Sequence, residues 1–67
     1  MNTDILAGNW KQLTGKIKQE WGELTDNEIT KIDGSQEELR GRLQEKYGYG
    51  KEEAQEAINN FLKKHQG

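Results

Sequence analysis

The hydrophobic residues of this chain recur at helical intervals and do not form continuous runs. Leu13, Ile17 and Trp21 are spaced so that all three lie on one face of a helix. Asn9 precedes them as a residue suited to capping a helix N-terminus, and Gly22 follows as a residue suited to a left-handed helix stop. The pattern therefore predicts a first helix between these two residues.

A capping box marks the start of a second helix. In this motif the hydroxyl of Thr25 accepts a hydrogen bond from the backbone N–H of Glu28, and the Glu28 carboxylate accepts one from the N–H of Thr25. We expect a short helix over residues 26–33, which ends at Gly34.

The same capping motif returns at Ser35 and Glu38, and it predicts a third helix over residues 36–47. Gly48 is placed to end that helix. A fourth helix is expected to begin near Lys51, and it carries the broadest apolar stripe of the chain.

The chain also repeats itself with a period of 26 residues (34 − 8, from Gly8 to Gly34). We therefore predict an all-α fold in which four short helices form two packed α-hairpins, a small orthogonal helical bundle with an internal pseudo-repeat. Gly15 and Gly41 lie in mid-helix, where each costs about 1 kcal/mol relative to alanine. Their recurrence predicts a close approach of another backbone at both positions. The identical pairs are Gly8 and Gly34, Leu13 and Leu39, Gly15 and Gly41, Gly22 and Gly48, and Ile32 and Ile58.

A chain of 67 residues is expected to form one domain over residues 1–67. Residues 1–8 are predicted to be a frayed lead-in, and residues 63–67 a mobile C-terminus. The predicted core consists of Trp10, Leu13, Ile17, Trp21, Leu24, Ile29, Ile32, Leu39, Leu43, Tyr47, Ile58 and Phe61.

Composition narrows the function classes. Hydrophobic residues make up 30% of the chain and charged residues 33%, with a mean hydropathy of −1.19, and there is no cysteine. Disulfides and cysteine-based metal sites are therefore excluded. The net charge of −2 offers no general attraction to nucleic acids or anionic membranes. With no secretory signal or membrane span, we expect a cytoplasmic monomer with no membrane contact.

The sequence offers no catalytic residue, cofactor site or metal site. Glu37 and Glu38 are adjacent, as are Glu52 and Glu53, so the carboxylates of each pair point in different directions on a helix. They are better explained as favourable charges near helix N-termini. His65 stands alone near the C-terminus without a nearby serine nucleophile. We therefore predict a protein that is not an enzyme and has no small-molecule substrate.

Several segments together resemble the CsbD-like family of small bacterial general-stress proteins, over roughly residues 7–62. The resemblance implies a soluble bacterial stress protein with a small helical fold similar to two crossed α-hairpins. It implies no catalytic residue, and it leaves the molecular partner unknown. The segments that carry it are Gly8-Asn9-Trp10-Lys11-Gln12, Gly15-Lys16-Ile17-Lys18, Trp21-Gly22-Glu23-Leu24-Thr25-Asp26, Gly34, Leu39, Gly41 and Tyr47-Gly48-Tyr49.

The sequence leaves two alternative functions open. One is weak nucleic-acid binding, because the segment from Gly48 to Ala54 is similar to the Gly-x-Gly-x-x-x-Ala hairpin whose backbone N–H groups hold a phosphate in helix-hairpin-helix modules. Glu52 and Glu53 oppose this by placing negative charge beside the loop. The candidate nucleic-acid contacts are Lys11, Lys16, Lys18, Arg40, Arg42 and Lys51.

The other alternative is a hydrophilic protectant. Eight glycines, a high charge density and a low hydropathy resemble the proteins that accumulate under osmotic or desiccation stress. Such proteins act by hydration and weak shielding contacts and need no defined site.

Overall fold

The computed structural model describes residues 6–65, and these residues form helices connected by short turns. The helices are α1 (Trp10–Glu20), α2 (Asp26–Ile32), α3 (Gln36–Tyr47) and α4 (Lys51–His65). Residues 6–8 are also helical, which adds a fifth helical segment to the four predicted ones. Within residues 6–65 there is no strand, so the predicted all-α class is confirmed.

The caps of α2 and α3 follow from local sequence. Thr25 Oγ1 accepts from the N–H of Glu28 at 3.1 Å, and Glu28 Oε1 accepts from the N–H of Thr25 at 2.9 Å, so the capping box is complete. Ser35 Oγ accepts from the N–H of Glu38 at 3.2 Å. The N–H of Ser35 does not complete the box with Glu38, because it donates to the carbonyl oxygen of Ile32 at 2.8 Å.

The two predicted ends of the first helix need correction. Asn9 makes no side-chain cap, because its backbone (φ −113°, ψ 17°) lies outside the extended region that a capping side chain requires. Gly22 is not left-handed, whereas Gly34 and Gly48 are. The chain instead leaves α1 at Trp21, whose extended φ of −127° accompanies the burial of its indole in the core.

The core is one cluster of apolar side chains drawn from every helix. Ile17 and Leu43 are completely buried, while Tyr47 packs against the cluster from its edge and stays partly exposed. The cluster consists of Leu6, Trp10, Leu13, Ile17, Trp21, Leu24, Ile29, Ile32, Leu39, Leu43, Ala54, Ile58, Phe61 and Leu62.

The segment before α1 is part of this core. Leu6 is completely buried, and the turn at Gly34 packs against the backbone of Ala7. The predicted frayed lead-in is therefore wrong for residues 6–8, and residues 1–5 lie outside the described residues. At the other end α4 continues through His65, and residues 66–67 also lie outside the description.

The mid-helix glycines do not mark a close approach within the chain. A Cβ built on Gly15 or Gly41 would meet no atom within 4 Å, and both residues are exposed. Each follows a buried leucine, Leu13 or Leu39, by two positions, so it lies about 200° further around the helix. The predicted crossing at these glycines is therefore wrong.

Candidate functional site

The chemistry-bearing side chains of this protein lie on its surface. Every buried side chain within residues 6–65 is apolar, and no buried residue there is polar or charged. The same residues contain no group of three histidine, cysteine, aspartate or glutamate side chains that could hold a metal ion. A functional site must therefore be sought among the exposed polar groups.

The loop over residues 48–50 is capped by a side chain of α4, the helix that follows it. Gly48 adopts a left-handed conformation with φ 71°, as a helix C-cap does. The N–H of Gly50 donates to Glu53 Oε1 at 3.4 Å, so a carboxylate already lies at a donor that a phosphate would need. Lys51 is exposed beside it. The loop is thus a self-capped helix start.

Several of the predicted basic contacts bind other parts of the chain. Lys18 Nζ lies 2.6 Å from Asp26 Oδ1 and joins α1 to α2. Arg40 Nη1 donates to Gln55 Oε1 at 2.9 Å and joins α3 to α4. The six candidate nucleic-acid contacts therefore differ in how freely they present their charge. The other four are Arg42, which pairs with Glu28, and the exposed Lys11, Lys16 and Lys51.

Glu28 is the centre of the largest ion-pair cluster within residues 6–65. Its Oε2 lies 3.1 Å from Lys46 Nζ and 3.5 Å from Arg42 Nη1, so it links α2 to α3. The N–H of Thr25, which bonds the same carboxylate, and the Lys46 ammonium hold the pKa of Glu28 below its ordinary value, against a smaller opposing effect of partial burial. The capping box was visible in the sequence, but the ion pairs across the helices were not.

A polar seam lies between α3 and α4. Gln55 Nε2 donates to Gln36 Oε1 and to Asn59 Oδ1, both at 3.1 Å, while Gln55 Oε1 accepts from Arg40. The amide of Gln55 therefore bonds polar groups on both helices and sets their register. Sequence reasoning did not find this residue, because its partners on α3 are distant along the chain.

The aromatic residues are mostly unavailable for stacking on bases. Trp10 and Trp21 are buried, and the Trp21 ring lies 5.2 Å from that of Phe61. Tyr47 and Tyr49 stack on each other with ring centroids 5.6 Å apart, and Tyr47 Oη accepts from the N–H of Glu23 at 3.0 Å. Both tyrosine rings therefore pack against each other and against the core, and Tyr47 also joins α3 to the turn between α1 and α2.

A surface groove of about 310 Å³ lies between α1 and α2. Its polar groups already have partners: Lys18 pairs with Asp26, and the Thr30 hydroxyl donates to the Asp26 carbonyl oxygen at 2.9 Å. The Thr14 hydroxyl donates to a carbonyl oxygen of its own helix. The groove therefore presents no converging set of unsatisfied groups, and no ligand is assigned to it. No helix within residues 6–65 is both long and apolar enough to cross a membrane.

Comparison with known proteins gives a consistent result. A UPF0337 protein of Bordetella pertussis is 56% identical over 62 residues, which cover 92% of this chain and 94% of that protein. A UPF0337 protein of Pseudomonas aeruginosa is 52% identical over 61 residues, covering 91% and 94%. The UPF0337 protein YjbJ of Escherichia coli K12 is 48% identical over 58 residues, covering 87% and 84%. No solved structure is significantly similar to this chain.

The family comparison covers most of the helices described above. The model of a family described as CsbD-like matches residues 4–56, from before α1 into α4. The bacterial relatives are similar over nearly their whole lengths as well as over nearly the whole of this chain. This agrees with the resemblance that the sequence segments indicated. The chain belongs to the CsbD-like family.

Proposed function

We propose that this protein is a non-enzymatic component of the bacterial general stress response that acts in the cytoplasm through its polar surface. The observation that supports the proposal is the distribution of residue types within residues 6–65: the buried side chains there are apolar, and the charged side chains lie outside the core. Acid–base catalysis uses ionisable groups whose pKa values are shifted by burial or by close neighbours in a cleft. Glu28, whose hydrogen bonds and ion pairs lower its pKa, is occupied by a helix cap and two ion pairs.

The mode of action that we favour is protection of other macromolecules by a hydrated, folded surface. Charged residues make up 33% of the chain, and the folded helices hold them outward around a small core. Such a surface makes weak contacts with unfolding proteins and keeps them hydrated and apart. The capped helices indicate that the protein performs this task in the folded state.

The test is a protection assay on an enzyme unrelated to stress. The enzyme is dried and rehydrated with and without a molar excess of this protein, and its recovered activity is measured. We expect recovery to rise with the molar excess and to persist in a variant whose exposed charges are shuffled without changing their number. An equal mass of an unrelated helical protein with a much lower fraction of charged residues is the control. Equal recovery with that control would contradict the proposal.

Nucleic-acid binding is the second candidate, supported by the exposed positions of Lys11, Lys16 and Lys51. Binding to phosphates would weaken steeply as salt is raised, because counterions are released on association. Changing these three lysines to glutamate should then abolish it. A titration of labelled single-stranded and duplex oligonucleotides at two salt concentrations tests the candidate, and no measurable binding at low salt would remove it.

We also infer that the fold arose from two copies of one α-hairpin that pack together. The support is the equivalent burial of repeated positions, Leu13 with Leu39 and Ile17 with Leu43. An experimental structure tests this by superposition of residues 9–34 on residues 35–60. A poor match of helix directions between the halves would contradict it.

A further inference from the structure

The outward face of α1 is basic and has a glycine at its centre. Lys18 and Glu20 are paired with Asp26 and Lys64 of other helices, at 2.6 and 2.9 Å. The charges of α1 that have no ion-pair partner among residues 6–65 are therefore both positive. The outward face consists of Lys11, Gln12, Gly15, Lys16 and Gln19, all of them exposed.

The outward face of α3 is acidic and has a glycine at the equivalent position. Arg42 and Lys46 turn toward Glu28 of α2, and Arg40 bonds to Gln55 of α4. The basic side chains of α3 are thus drawn toward neighbouring helices. The outward face consists of Glu37, Glu38, Gly41 and Glu45, all of them exposed, and Glu45 also lies 4.0 Å from Arg42 of the same helix.

The monomer has no packing reason for either glycine. A Cβ at Gly15 or Gly41 would meet nothing within 4 Å, although glycine in a helix interior costs about 1 kcal/mol relative to alanine. A helix without a side chain at its outermost point allows another helix to come closer, because interaxial distance depends on the side chains at the contact. Both glycines sit where such a contact would be centred.

We propose that α1 of one molecule docks on α3 of a second copy of this chain, with Gly15 and Gly41 at the crossing. The occupant is a second copy because one molecule carries both surfaces: a basic face on an 11-residue helix and an acidic face on a 12-residue helix. These helices are about 16 and 18 Å long, so the charges can align along their lengths. The contact joins two different faces and is therefore heterologous.

The association is weak and depends on salt. A standard interface takes about 800 Å² from each partner, and this small chain exposes only 4476 Å² in total. Crossed polar helices bury less than that, and exposed ion pairs contribute little and are screened by salt. The protein is therefore monomeric when dilute and associates as its concentration rises. This departs from the expectation of a monomer.

Sedimentation velocity of the full chain over a range of concentrations, at low and at high salt, tests the proposal. We expect the average mass to rise with concentration at low salt and to fall back toward the monomer at high salt. The double variant Lys11→Glu/Lys16→Glu should associate at least about tenfold more weakly. Its matched control is Lys31→Glu/Lys63→Glu, which changes the net charge equally at exposed residues outside both faces and should associate like the original chain.

Complementary charge reversal identifies the two faces. Glu37→Lys/Glu45→Lys should also fail to associate by itself, whereas an equimolar mixture with Lys11→Glu/Lys16→Glu should recover association between the two variants. Circular dichroism of each variant verifies that the helices are retained. An original chain that stays monomeric at all concentrations would overturn the proposal, as would association that survives either reversal. Binding of a labelled oligonucleotide by a chain that stays monomeric would assign the basic face to nucleic acid instead.

A second pair of variants tests the role of the glycines. Gly15→Gln and Gly41→Gln place a side chain in open space on the monomer, so the fold should be kept while association is lost. Asn60→Gln lengthens an exposed side chain on α4 and should leave association unchanged. Retained association in both glycine variants would show that the helices do not cross there.

Discussion

Gly34 lies against the backbone of Ala7, and a Cβ on Gly34 would come within 2.9 Å of the Ala7 Cα atom. Gly34 also has a left-handed φ of 83°, which side chains rarely tolerate. The turn between α2 and α3 is thereby joined to the segment before α1. Gly8 is the equivalent glycine in the repeat, and a Cβ built on it would meet no atom within 4 Å. The two equivalent glycines therefore have different surroundings.

Gly34→Ala is expected to lower the free energy of unfolding by about 1–3 kcal/mol, because the new Cβ meets the backbone of Ala7 and the residue remains left-handed. Urea unfolding followed by circular dichroism measures the change. Gly8→Ala is the matched control, because Gly8 is helical and unobstructed. It should be neutral or slightly stabilising. Equal stabilities of the two variants would contradict the close contact.

Leu6→Ala is expected to lower the free energy of unfolding by about 2–5 kcal/mol, the usual cost of truncating a buried leucine. Such a loss is large for a domain of this size. Thermal unfolding measures it. Gln12→Ala at an exposed residue of α1 is the control and should leave the stability almost unchanged. If residues 6–8 were frayed, Leu6→Ala would instead have the same free energy of unfolding as the original chain.

Gly15→Ala and Gly41→Ala are each expected to raise the free energy of unfolding by about 1 kcal/mol, because both residues lie in helix interiors with open space at the Cβ position. The measurement is made on dilute protein at high salt, where the monomer predominates. A loss of stability in either variant would contradict the open space around the Cβ position of that glycine.

Glu28→Gln is expected to remove a pH-dependent contribution to stability, because glutamine can still accept from the N–H of Thr25 but cannot pair with Lys46 or Arg42. Folding lowers the pKa of Glu28, so the charged carboxylate favours the folded state. That contribution is complete above about pH 4.3, the ordinary pKa of glutamate, and it is lost as the pH falls through the lower pKa of the folded state.

The measurement is the difference in unfolding free energy between the original chain and Glu28→Gln, taken from neutral pH down to strongly acid conditions. The difference should be constant above about pH 5 and shrink below about pH 4. Glu45→Gln is the control, since Glu45 lies 4.0 Å from Arg42 in an exposed pair. A difference that does not change with pH would contradict the role of the Glu28 charge.

The elements that were predicted correctly depend on neighbours within a few residues. The Thr25 and Glu28 box and the left-handed stop at Gly48 each involve a short stretch of backbone, so the local sequence contains the needed information. The contacts of the basic candidate residues depend on more distant neighbours. Arg40 bonds to Gln55, 15 residues away, and Arg42 to Glu28, 14 residues away (42 − 28), so the availability of these cations depends on how helices pack.

The sequence by itself determined the helices, their main caps and the apolar faces that enter the core, because hydrogen bonds and periodicity act over one or two turns. Tertiary structure decided that Leu6 joins the core, that Gly34 lies against Ala7, and that Gly15 and Gly41 are left facing outward. It also decided which charges pair and which remain on the outer faces of α1 and α3. These outcomes require several helices to be placed together, because side chains distant along the chain meet only when their helices pack.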